Sequence, residues 1–257
     1  MKLTDFVNTN VLSNWQLYKE RFDRFIIIDD FFNTDTIDEL VSKFPYPNDS
    51  KSLWFEYNNP LEKKFALDDI RKMPDIYAKV IHTLNSESFC KMIEELSGIK
   101  KLYSDPYLHG GGLHCSKKHG KLDLHVDYSI HPKLFLERRL NMIIYLTPEW
   151  KYEWNGQLEF WNKDLTVCEN KILPKLNRAV IFLTNDESVH GFPHPLECPE
   201  NTSRNSLALY YISDLREETN ERYRAKFFKH PDDVSIDKNI DRFREERSKE
   251  FGIYNMK

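Results

Sequence analysis

His125 and Asp127 stand two residues apart at the end of a run of strand-forming residues, Leu122 to Val126. Side chains alternate along a β-strand, so residues i and i+2 project to the same side. On a strand, the His125 imidazole and the Asp127 carboxylate therefore enter one space. One neutral nitrogen and one anionic oxygen are two-thirds of a 2-His-1-carboxylate donor set, which suits a divalent first-row ion. The third donor must come from another strand. His190 meets that requirement: Arg178 to Leu183 reads as a buried strand and Thr184 to Val189 as a turn, while Gly191 permits close backbone approach beside the histidine.

A later strand carries a different chemistry. Arg204-Asn205-Ser206 opens the apolar run Ser206 to Ile212, and a period of two puts Arg204 and Ser206 on one face. A guanidinium is always charged and binds a carboxylate through two parallel hydrogen bonds. The Ser206 hydroxyl adds a third donor. Together they read as a binding site for the carboxylate end of an anionic molecule.

The elements that must position these residues follow from periodicity. Phe25 to Ile28 reads as a buried strand. Ile37, Leu40, Val41 and Phe44 then mark a helix with Asn33 or Thr34 as N-cap and Pro45 as its stop. Residues 45–64, rich in Pro, Asn, Asp and Ser, read as a long surface loop on the substrate side. Pro74 starts a second helix. Ser86 caps a third, which buries Phe89, Met92, Ile93 and Leu96 and ends before Gly98. From Leu102 to Ser213 short apolar segments alternate with turns: Tyr107 to Leu113, Leu122 to Val126, Leu140 to Leu146, Gln157 to Trp161, Val167 to Leu173, Ala179 to Leu183 and Ser206 to Ile212. Asn155-Gly156 is a strong turn signal among them. This is the pattern of an antiparallel sandwich or barrel with N-terminal helices packed on its outside. From Asp214 to the end basic and acidic residues are equal in number, and the chain reads as a solvated helical tail. Ile236, Ile240, Phe243 and Phe251 would dock it on the domain or on a second subunit.

Composition narrows the function classes. The 257 residues suffice for one well-buried domain, and a net charge of −4 gives no general pull toward nucleic acid or an anionic membrane. Cys90, Cys115, Cys168 and Cys198 are scattered, which favours reduced thiols in a cytoplasmic protein. No signal peptide is read in Met1 to Trp15, and no apolar run is long enough to span a bilayer. His114, Cys115 and His119 fit no zinc spacing well. His109, His131 and His194 read as structural, and Trp150, Trp154 and Trp161 as packing. Arg138 or Arg139 could reach an acidic substrate group.

As an ordered set, His125-Val-Asp127, Arg138 to Leu146, Asn155 to Phe160, His190-Gly191 and Arg204-x-Ser206 make the chain resemble the Fe(II)/2-oxoglutarate-dependent oxygenases of the prolyl 4-hydroxylase-like superfamily, from roughly Phe25 to Ile212. Asn155-Gly156 departs from the pair of glycines common in relatives. The resemblance implies a mainly β fold: a double-stranded β-helix, or jelly roll, over about 102–213 of a single domain 1–213, followed by the extension 214–257. It implies His125, Asp127 and His190 on Fe(II), with Arg204, Ser206 and Tyr145 on the far carboxylate of 2-oxoglutarate. It further implies O2 as cosubstrate, L-ascorbate as a reductant, and hydroxylation of a C–H bond with release of succinate and CO2. The substrate could be a peptidyl proline, another amino-acid side chain or a small metabolite. Two rivals stand beside it. One is a cupin-like metalloprotein with isomerase or oxidase chemistry that does not use 2-oxoglutarate. The other is a non-catalytic binding module whose C-terminal helices serve a partner or a homodimer.

Overall fold

Alternation with a period of two decides which side chains of the central strands meet the helices and which enter the interior. The computed structural model describes residues 1–47 and 53–249. Its strands are β1 (Phe25–Ile28), β2 (Phe55–Asn59), β3 (Glu62–Leu67), β4 (Tyr103–Ser104), β5 (Gly112–Ser116), β6 (Lys121–Val126), β7 (Glu137–Tyr145), β8 (Leu158–Trp161), β9 (Cys168–Ile172), β10 (Ala179–Leu183), β11 (Val189–Phe192), β12 (Arg204–Ser213) and β13 (Lys226–Phe227). The helices are α1 (Thr9–Ser13), α2 (Trp15–Arg21), α3 (Thr34–Ser42), α4 (Asp75–Leu84), α5 (Glu87–Ser97) and α6 (Lys238–Lys249).

The strands pair in the order β1-β10-β7-β12-β5-β3-β6-β11-β8-β9, with β13 beside β6. The two ends of that order fold face to face. Phe160 of β8 stacks on Phe25 of β1 at 5.0 Å and meets Phe182 of β10 at 5.1 Å. The sheet is therefore curled, as the double-stranded β-helix requires. Leu140, Met142 and Ile144 of β7 and Leu207, Leu209 and Tyr211 of β12 join one core with Ile37, Leu40, Tyr77, Val80 and Phe89 of the helices. Each such side chain contributes roughly 1.5–3 kcal/mol on burial. The alternate residues, Asn141 and Ile143 of β7 and Arg204, Ser206, Ala208 and Tyr210 of β12, line an interior cavity.

The helix boundaries follow their caps. The Asn33 side chain accepts the Thr36 N–H at the start of α3, and Ser86 accepts the Phe89 N–H at the start of α5. Gly98 ends α5 in the left-handed region. The Tyr77 hydroxyl donates to the Leu40 carbonyl and the Tyr211 hydroxyl to that of Leu84, tying helix to helix and sheet to helix.

Three local expectations change. Of the expected loop 45–64, residues 48–52 lie outside the described residues, and Phe55 to Leu67 forms the β2–β3 hairpin. Asn59 turns it by accepting the N–H groups of Leu61 and Glu62, and β3 then pairs with both β5 and β6. Its polar residues belong to a hairpin on the cavity wall, not a loop. Tyr107 to Gly111 is turn, because the Asp105 carboxylate accepts the N–H groups of Tyr107 and His109; the strand starts at Gly112. Among the described residues of the tail only α6 is helical, and residues 214–237 form turns and β13. Charge docks it: Arg244 pairs with Asp123 and Arg247 with Glu62. Ile236 is 87% exposed, and Phe251 lies outside the described residues. All four cysteines are free, and no helix among the described residues is long and apolar enough to cross a membrane.

Gly112 has φ +81°, and a Cβ there would stand 2.3 Å from the Leu67 carbonyl oxygen where β3 passes β5. Gly112→Ala is expected to cost at least about 3 kcal/mol in urea denaturation, from backbone strain and displacement of β3. A loss below about 1 kcal/mol would show that the strands can part there freely.

Candidate metal centre

The β6–β11 ladder brings the triad together. His190 is the direct cross-strand partner of His125, and Asp127 follows the last residue of β6. Gly191 makes the pairing possible: a Cβ there would stand 2.8 Å from the carbonyl oxygens of Leu122 and Asp123. All three residues are buried, and one ligand atom from each lies within 4.8 Å of the others. Asp127 Oδ1 is 3.6 Å from His125 Nε2, and Oδ2 is 4.0 Å from His190 Nε2. These separations are too long for hydrogen bonds.

The protons are arranged for metal binding. His125 Nδ1 donates to the Asp123 carbonyl at 2.9 Å, and His190 Nδ1 to the Ser188 carbonyl at 2.8 Å. A neutral imidazole that donates through Nδ1 leaves the Nε2 lone pair free, and both Nε2 atoms face Asp127. Burial, with His125 beside it, pushes the His190 pKa down to about 4, so its ring is neutral near pH 7. Burial raises the Asp127 carboxyl, but His125, Arg138 and His190 outweigh it and hold the group well below the usual carboxylate range. Asp127 Oδ2 is buried without a hydrogen-bond partner among the described residues. An orphaned buried carboxylate oxygen is costly unless a cation meets it. Two neutral nitrogens and this oxygen fit a divalent first-row ion.

Arg204 and Ser206 open onto the same cavity, of about 810 Å³. Arg204 is 5% exposed. Its Nε donates to the Gly156 carbonyl at 2.8 Å, and one terminal nitrogen donates to the Tyr145 hydroxyl at 3.3 Å. Its guanidinium also lies over the Phe192 ring at 4.3 Å. Tyr145 is the cross-strand partner of Ser206, so the three groups form one cluster. Among the described residues no carboxylate pairs with Arg204; Tyr145 alone offsets the burial that lowers its pKa.

Other residues sort differently. Arg138 is buried between the rings of Tyr128 and Tyr210, at 3.5 and 3.3 Å, and stands 3.7 Å from Asp127 Oδ1. It is on the cavity wall, whereas Arg139 donates to the Ser213 hydroxyl. His114 lines the cavity, Cys115 joins the helix-side core and His119 is exposed, so these three do not converge. His131 is buried against Asp105 at 3.2 Å.

Sequence reasoning missed the C-terminal clamp. Arg222 donates through Nε and Nη2 to the Asp127 carbonyl, at 3.0 and 2.6 Å, and through Nη1 to Asp186. Phe227 pairs with His125 across the β13–β6 ladder and lays its ring 5.4 Å from the imidazole. No local pattern marks these residues, because their partners are a backbone carbonyl and a ring about a hundred positions earlier.

Residues 111–212 match the family described as the 2OG-Fe(II) oxygenase superfamily. A search of curated proteins gives no match. Among solved structures, a Pseudomonas putida prolyl-4-hydroxylase is 12% identical, with 78% of this chain and 99% of that one covered at a TM-score of 0.57. A prolyl hydroxylase from Trichoplax adhaerens, solved with a hypoxia inducible factor peptide fragment, is 16% identical over 80% and 93% at 0.56. HygX from Streptomyces hygroscopicus, solved with nickel, 2-oxoglutarate and hygromycin B, is 13% identical over 77% and 86% at 0.50. At these identities the structures attest the fold.

Arg222→Ala should weaken binding of a divalent ion at the triad by about 10-fold or more, the usual effect of losing an outer support. Anaerobic calorimetric titration of the metal-free protein with Fe(II) measures it. An unchanged affinity, with circular dichroism unaltered, would make the clamp dispensable.

Proposed function

We propose, from the match of residues 111–212 to the 2OG-Fe(II) oxygenase superfamily, that this chain is an oxygenase of that superfamily and hydroxylates a C–H bond of an organic substrate, with His125, Asp127 and His190 as the iron ligands. The family implies Fe(II), 2-oxoglutarate and O2. When bound, the iron and 2-oxoglutarate supply the oxidative decarboxylation that yields succinate and CO2 and places one oxygen atom on the substrate. The protein's part is to bind, orient and exclude water. His125 Nε2, Asp127 and His190 Nε2 would hold the ion. Arg204, with Ser206 and Tyr145, takes the far carboxylate of 2-oxoglutarate and so sets which way the cosubstrate enters.

The observation that carries this reading is Arg204. A buried guanidinium without a carboxylate partner among the described residues costs several kcal/mol unless an anion reaches it. It faces the same cavity as the triad. The cupin-like alternative gives this cation no role. For the substrate, the proposal keeps a peptidyl proline, another amino-acid side chain or a small metabolite. Proteins of this fold have been solved with a peptide fragment and with hygromycin B. The proposal treats 1–213 as the oxygenase domain and sets it in the cytoplasm, a reading supported by four free thiols.

Arg204→Ala is expected to weaken 2-oxoglutarate binding by about 100-fold or more, as loss of one partner of a buried charge pair does, and to change Fe(II) affinity less than about threefold. Anaerobic titration separates the two. Wild-type protein supplied with Fe(II), 2-oxoglutarate, ascorbate and a peptide and metabolite panel should release succinate, with one substrate gaining a single oxygen by mass spectrometry. Retention of 2-oxoglutarate affinity in the variant would refute the assigned role of Arg204.

A further inference from the structure

We propose that Glu159, His194 and His230 form a second metal site, suited to Zn(II), that fastens the C-terminal arm to the outer face of β8 and β11. Glu159 lies on β8 between Leu158 and Phe160, which pack inside the curled sheet, so its side chain faces outward. His194 follows β11, and His230 follows β13 on the arm. Three separate pieces of chain thus supply one carboxylate and two imidazoles. One ligand atom from each lies within 4.8 Å of the others. Glu159 Oε1 is 3.6 Å from His194 Nε2, and Oε2 is 3.6 Å from His230 Nε2. The two imidazole rings are 5.0 Å apart.

His230 points to a ligand independently of that clustering. Its side chain is 10% exposed, and its Nε2 is buried with no hydrogen-bond partner among the described residues. At 3.6 Å the Glu159 oxygen is too far to serve as one. A small shift of the rings brings all three atoms to a single ion. Two histidines and a glutamate make a three-ligand zinc set, with water in the fourth place.

Two existing contacts must be accommodated. Glu159 Oε1 accepts from Lys171 at 2.8 Å, and Oε2 from the Trp161 indole N–H at 2.8 Å. The Lys171 side chain is 43% exposed and can turn to water, while the indole N–H can stay on the carboxylate as an outer support. His230 Nδ1 accepts the Asp232 N–H, with an Asp232 carboxylate oxygen 3.8 Å away. When Nε2 ligates, Nδ1 holds the proton and Asp232 becomes its acceptor, the usual carboxylate–histidine–metal arrangement. The ion would then hold the arm that lays Phe227 against His125 and Arg222 against the Asp127 carbonyl.

The test uses the full chain, free of affinity tags and stripped by chelator, in a His125→Ala/His190→Ala background that disables the first centre. Failure of the iron assignment therefore cannot mimic failure here. The proposal expects one equivalent of Zn(II) bound at micromolar affinity or tighter, and slower proteolysis of the arm once zinc is added. Co(II) should give the intense visible bands of a tetrahedral site. Adding His230→Ala should weaken Zn(II) at least 100-fold, and Glu159→Gln at least 10-fold. If the double background does not fold, wild-type protein should take up two equivalents of Co(II) and His194→Ala one. Absence of stoichiometric zinc in the folded background, or zinc binding that survives His230→Ala, would overturn the site and leave Glu159 as a partner of Lys171 and the Trp161 indole.

Discussion

The pairing of His190 with His125 across β6 and β11 is the constraint on which the interior depends. Because side chains alternate, a slip of one residue in that ladder would turn His190 to the outer face and dismantle the donor set. The register is held by steric means. Gly191 lets β11 press against the carbonyls of Leu122 and Asp123, and the ladder shifts immediately after His190. The same two strands also fix the protons, since Asp123 and Ser188, each two residues before its histidine, offer the carbonyls that orient the rings.

Around this pairing the protein buries charges that are expensive alone. Asp127, Arg138 and Arg204 all lie within a few per cent of full burial. Such groups cost several kcal/mol each unless they are bonded or paired. Arg138 is held between two aromatic rings and beside Asp127, which spreads its charge over the rings and the carboxylate. Arg204 is anchored by the Gly156 carbonyl and Tyr145, with part of its fork facing the cavity. The cost is offset on the other side of the same strands. There β7 and β12 send every second residue into the apolar core beneath α3, α4 and α5. One strand thus serves both purposes: its outer residues stabilise the fold and its inner residues carry the charges.

The C-terminal segment covers β6 and the β2–β3 hairpin by polar contacts. Its charged composition suggests a solvated helix, yet Arg222, Arg244 and Arg247 each reach back to a residue of the barrel or its hairpin. Two of these contacts bear on β6 and its end, next to His125 and Asp127. The segment is therefore part of the support for the donor set, in the way that outer partners orient metal ligands.

The amino-acid sequence by itself determined what depends on neighbouring residues. The two-residue spacing of His125 and Asp127, the shared face of Arg204 and Ser206, and the caps Asn33 and Ser86 are local patterns, and the fold keeps each of them. Strand composition likewise marked β6 to β10 and β12 to within a few residues, whereas β11, which carries His190, lies where the sequence reads as a turn. The tertiary structure alone decided what depends on register and closure. The polar stretch after Pro45 became a hairpin because β5 and β6 accept β3 as a ladder partner. His230 reached Glu159, and Arg222 reached the Asp127 carbonyl, across long stretches of intervening chain. A periodicity can be read from adjacent residues, but a contact with a distant carbonyl or carboxylate leaves no mark on its own neighbours. Only the curled sheet, by fixing which strands lie side by side, brings those groups together.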